Sequence, residues 1–116
     1  MDLEQFYAMV GGNLSEVRAR LAKDERILKY LRKFLDSTDY PELVAALEQK
    51  NYPDAFRFSH NLKGVAANLG LHYLYEVSSA LCEELRHGEP AVDISGMMND
   101  VTIKYNEARE AIALLG

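Results

Sequence analysis

Residues 52–70, Tyr52-Pro-Asp-Ala-Phe-Arg-Phe-Ser-His60-Asn-Leu-Lys-Gly-Val-Ala-Ala-Asn-Leu-Gly70, read as one helix whose two faces differ in chemistry. A start at Asn51 to Pro53, with proline in the first turn, and a stop at Gly70 bound it. With His60 at zero and about 100° per residue, Phe58, Leu62, Val65 and Leu69 fall within about 40° of the opposite pole. That apolar pole is expected to face a core, and His60 to face solvent. Phe56, Lys63, Gly64 and Ala67 lie within about 60° of His60 by the same rotation.

The neighbouring segments repeat the helical period. Leu71, Leu74, Val77, Ser78, Leu81 and Leu85 make a stripe on a helix that ends near His87-Gly88. Ile94, Met97, Val101, Tyr105, Ala108, Ile112 and Leu115 make another. Upstream, Ile27, Leu28, Leu31, Phe34 and Leu35 form an apolar face that resumes at Leu43, Val44 and Leu47. Ser37 to Pro41 either kinks or breaks the helix between them, because the residue before proline avoids the α region. Short helices are expected over residues 2–10 and 14–22, the second opened by an Asn13–Glu16 capping box. Strand alternation, solenoid repeats and low-complexity runs are absent from the sequence. The expected fold is all-α: an antiparallel up-and-down four-helix bundle over residues 24–115, with residues 1–22 as short covering helices.

The chain has 116 residues, below the usual ~150 per domain, so a single unit is expected. It carries 13 Lys and Arg against 18 Asp and Glu, a net charge of −5 with no basic block. Nucleic acid is therefore an unfavourable partner. Cys82 is the one cysteine, and alone it closes no bridge and builds no thiolate cage. A secretion leader and a run of roughly 20 apolar residues are both missing. A cytoplasmic protein, without membrane attachment, is expected.

The His60 face carries the chemistry. A solvent-facing imidazole is mostly neutral at pH 7 and nucleophilic without special activation. Lys63, one turn on, can balance the charge of a phosphoryl group on that ring. Glycine inside a helix costs roughly 1 kcal/mol against alanine, and Gly64, well away from the apolar pole, is read as clearance beside the ring. Phe56 either covers the bundle edge or belongs to an apolar docking ring. Arg57, Asn61 and Asn68 either flank the site as solvated groups or help to orient the phosphoryl oxygens. No phosphate-binding loop, nucleophile elbow or zinc motif occurs, and His60, His72 and His87 form no recognisable ligand set.

The run His60-Asn-Leu-Lys63-Gly64-Val-Ala-Ala-Asn-Leu69-Gly70 resembles the motif of the histidine-containing phosphotransfer (HPt) domain family. A weaker resemblance extends over most of the chain; Pro41 and the lead-in from Gly11 to Ala22 depart from the family pattern. The resemblance implies that His60 accepts a phosphoryl group from a receiver-domain phospho-aspartate and passes it on, with Lys63 as electrostatic partner and Gly64 giving access. Phe56, Arg57, Asn61, Ala67 and Asn68 are the expected partner-binding residues. It also implies a stoichiometric carrier without ATP binding, a monomer with no cofactor of its own. Its partners would be receivers of response regulators or hybrid sensor kinases, and these would bring the Mg²⁺. The rival readings are a helical adaptor that docks a partner without phosphotransfer and a metal-dependent enzyme, which clustered ligands do not support.

Overall fold

A computed structural model describes all 116 residues, and it is all-helical. The order is α1 (Leu3–Val10), α2 (Leu14–Leu21), α3 (Asp24–Phe34), α4 (Asp39–Glu48), α5 (Tyr52–Leu69), α6 (His72–Leu85) and α7 (Ser95–Ala113). Helix α5 packs most heavily on α6 and next on α4, while α7 lies against α6. The short connections make these successive neighbours antiparallel.

The stretch before Pro41 is a break. Helix α3 stops at Phe34, and α4 begins at Asp39 so that Pro41 sits in its first turn, where the missing N–H costs no intrahelical bond. Helix α7 clasps this elbow. The Tyr105 ring stacks on Tyr40 at 4.0 Å and meets Phe34 edge-on at 5.7 Å. Arg109 donates to the Leu35 carbonyl at 2.8 Å, satisfying an acceptor that the broken helix leaves open.

Local signals explain most of the helix ends. Asp2 and Gln5 form a reciprocal capping box on α1. The expected box at Asn13 is only half present: Asn13 Oδ1 accepts from the Ser15 and Glu16 N–H groups, but Glu16 does not reach back. Helix α6 ends at Leu85, just before the expected stop, and Gly88 follows in a left-handed conformation. Asp93, one residue before the α7 N-cap Ile94, accepts from the Ser95 N–H at 2.9 Å, and the hydrogen bonds from Ser95 backbone and side chain hold its carboxyl below the usual range.

One core of 24 buried residues unites all seven helices. Phe6 and Val17 are fully buried in it and Tyr7 is nearly so, which makes α1 and α2 a wedge in the end of the bundle. Val101, Tyr105, Ala108 and Ile112 confirm the stripe on α7, and Leu71, Leu74, Ser78, Leu81 and Leu85 that on α6. Cys82 is fully buried on α6 as a free thiol.

The buried face of α5 departs from the expected pole. Ala55, Ser59, Leu62, Ala66 and Leu69 are buried, whereas Phe58 and Val65 are only half-buried. The stripe is rotated by about 40°, reckoned at 100° per residue, towards its small side chains. Small residues let two helix backbones approach closely, and the face carrying them is the one that packs.

Candidate functional site

His60 sits near the middle of α5 and is exposed, as its place on the helix requires. The two flanks of its face belong to different neighbours. On the α6 side stand Phe56, with its ring centroid 6.0 Å from that of His60, and Lys63, which is half-buried. On the α4 side stand Gly64, Arg57 and Asn61.

Gly64 is open: a Cβ built there would meet nothing within 4 Å. Helix packing therefore gives no reason for a glycine at this position. Ala67, two turns from His60, is exposed and small, so the face stays low along this line.

The other expected contact residues are partly engaged. Arg57 pairs with Asp54 at 3.6 Å and lies over the Phe58 ring at 4.4 Å. Asn61 donates to Asp39 Oδ1 at 3.4 Å, tying the α4 side of the face to the start of that helix. The guanidinium of Arg86, at the end of α6, stands 5.7 Å from the Phe56 ring centroid. Asn68 is exposed and borders a separate cleft with Tyr30, Lys33 and Ser37. His60, Lys63, Gly64, Phe56 and Ala67 thus share one surface, while Asn68 points away towards α3.

Three residues beside this surface escape a reading by periodicity. Glu83 and Arg86 form an ion pair in which both Nε and Nη2 lie 3.0 Å from Glu83 Oε2. The Arg86 hydrogen bond holds the Glu83 carboxyl below the usual carboxylate range, and the Lys63 and His87 charges act in the same direction. The spacing of three from Glu83 to Arg86 was a local signal for that pair. Arg20 had none. It reaches from α2 to donate to the Ala67 and Asn68 carbonyls, each at 3.1 Å, and places a cation at the negative end of α5.

Beyond Ala67 lies an open cleft of about 390 Å³, walled by Gly12, Asn13, Glu16, Arg20, His72 and Tyr75 among others. His72 is paired there with Glu76 at 2.7 Å. Three or more potential metal ligands gather nowhere in the molecule. No helix is long and apolar enough to cross a membrane.

A bundle with an exposed histidine on a central helix, followed by lysine and glycine on the same face, defines a class of signalling domain. The family model described as Hpt domain matches residues 3–111, and the chain belongs to that family. Among curated proteins and solved structures no significant match was found. Membership makes the chain a histidine phosphotransfer module of the kind that works with receiver domains in phosphorelays.

Proposed function

We propose that this Hpt domain carries the phosphoryl group on His60, taking it from a phospho-aspartate of a receiver domain and handing it to another. The neutral imidazole attacks phosphorus with a ring-nitrogen lone pair. The acyl P–O bond breaks, the aspartyl carboxylate leaves with the electron pair, and the ring's other nitrogen keeps its proton. Lys63 offsets the negative charge that arrives on the ring, and Gly64 leaves room for the partner. Mg²⁺ belongs to the receiver in this reading, and the chain acts stoichiometrically, as a monomer, without binding ATP.

The observation that carries the reading is the exposed His60 ring with a cation one turn away and an empty notch beside it. The test is to mix the chain with a radiolabelled phospho-receiver. The label is expected to move to it as an acid-labile, alkali-stable adduct, and His60→Gln to abolish the transfer. Lys63→Ala is expected to keep the adduct but slow its formation. Label that persists on the His60→Gln chain overturns the site; receiver binding without any transfer favours the adaptor.

A further inference from the structure

Granting the phosphotransfer reading of His60, we propose that Arg86 is a positioning residue for the receiver, and that Glu83 tempers its charge. Helices α5 and α6 run antiparallel through the tight turn at Gly70–Leu71, and Arg86, whose guanidinium carbon stands 5.7 Å from the Phe56 ring centroid, marks which residues lie level. Counting back along α6 from that contact brings Glu83 level with Ser59 and His60. The α6 flank of the His60 face therefore carries two cations, Lys63 and Arg86, with Glu83 beside them and Glu76, paired with His72, two turns further along α6.

The Arg86 side chain is oriented without being buried. Its Nε donates to Glu83 Oε2, its Nη2 lies 3.0 Å from the same oxygen, and its guanidinium carbon stands over the Phe56 ring at 5.7 Å, yet Arg86 remains 43% and Glu83 67% exposed at the side chain. A guanidinium held this way has lost rotamer freedom before a partner arrives and keeps further donors for a carboxylate or phosphoryl oxygen. The opposite flank differs. Its cation, Arg57, is paired with Asp54, and Asp39 adds another negative charge near Asn61. A receiver site that uses acidic groups to hold Mg²⁺ is drawn to the α6 flank and repelled from the α4 flank. That asymmetry fixes the side from which the phospho-aspartate approaches. Association between opposite charges is accelerated at low salt and screened at high salt.

The experiment measures the second-order rate of transfer from a purified receiver, charged with labelled acetyl phosphate, across a range of ionic strength. The receiver chosen is one that labels the wild-type chain and fails to label His60→Gln. Absence of such a receiver counts against the phosphotransfer reading itself, separately from this proposal. Arg86→Ala is expected to lower the rate about fivefold at low salt, with the loss closing at high salt and the rate at saturating receiver unchanged. Arg86→Lys is expected to recover part of that loss. Glu83→Gln, which keeps an acceptor for Arg86 but removes the charge, is expected to raise the low-salt rate about twofold. A loss in Arg86→Ala that is equal at every salt concentration marks a merely structural residue and overturns the proposal. So does an unchanged rate in Arg86→Ala, or a fall in Glu83→Gln.

Discussion

Two glycines of one motif, Gly64 and Gly70, stand six residues apart on the same stretch of chain and are needed for opposite reasons. Gly70 is crowded and conformationally committed: its φ is +71°, and an added Cβ would lie 2.5 Å from Val17 Cγ2 and 3.1 Å from Tyr7 Cε1. Gly64 is helical and bare, with nothing within 4 Å of the same probe. The first makes room for the molecule's own helices. The second leaves room that the fold does not use, on the face that carries His60. Crowding at a glycine reports on architecture, whereas emptiness at a glycine inside a helix points outward, to a partner.

The same contrast runs through the surroundings. The last turn of α5 is capped by side chains from elsewhere: Tyr7 donates to the Leu69 carbonyl at 2.7 Å, and Arg20 to the two carbonyls before it. Gly12 must also approach closely, since a Cβ there would meet the Gly70 carbonyl oxygen. This end is a lock between α1, α2 and α5. The face around His60 is flanked instead by exposed charges that pair with one another and stay open to a partner.

The strongest way to break the comparison is Gly70→Ala. The left-handed backbone costs about 1–2 kcal/mol for a residue with a Cβ, and forced repacking about 1–3 kcal/mol more. A fall in melting temperature of ~10 °C or more is expected by thermal denaturation, at roughly 4 °C per kcal/mol. A stability close to wild type would mean that α1 and α2 do not lock this end.

Tyr7→Phe is the next largest. It removes the hydrogen bond to the buried Leu69 carbonyl, and a loss of about 1–2 kcal/mol is expected in urea denaturation at neutral pH. Burial pushes the Tyr7 phenol well above the ordinary tyrosine value, with Arg20 acting weakly the other way. The unfolded chain ionises this phenol near pH ~10 while the folded chain does not. The stability it contributes is thus present below that pH and lost above it. Tyr7→Phe should lose less stability than wild type between pH 8 and about pH 10.5; equal losses would place the alkaline sensitivity elsewhere.

Gly64→Ala sharpens the comparison with the smallest effect on stability, and of opposite sign. Alanine in an unobstructed helix position is expected to stabilise by up to ~1 kcal/mol, raising the melting temperature by a few degrees. If the notch admits a receiver, phosphotransfer should slow at the same time, and more so for Gly64→Leu. A lowered melting temperature would show that the position is packed after all.

Much of this was legible in the chain. The stripes of α6 and α7 stood out because their apolar residues are large and regularly spaced, and the exposure of His60 followed from its angle to Leu62 and Leu69. The rotation of the α5 stripe was not legible, because Ala55, Ser59 and Ala66 weigh little on any hydrophobic scale and become core only when α6 closes on them. Pro41 announced a disturbance but left a kink and a break open; the clasp of Tyr105 and Arg109 on the elbow depends on residues more than sixty positions away. Arg86 was visible as a partner for Glu83, but its place over Phe56 required the register of two antiparallel helices.

The amino-acid sequence by itself determined the helical class, the family, and the solvent-facing line of His60, Lys63, Gly64 and Ala67, because each depends on spacing within one helix turn or two. Tertiary structure alone decided which small residues are core, how α1 and α2 seal the end of α5, and which charges flank His60. Those depend on distances between chain segments far apart in sequence, and helical periodicity carries no information about them.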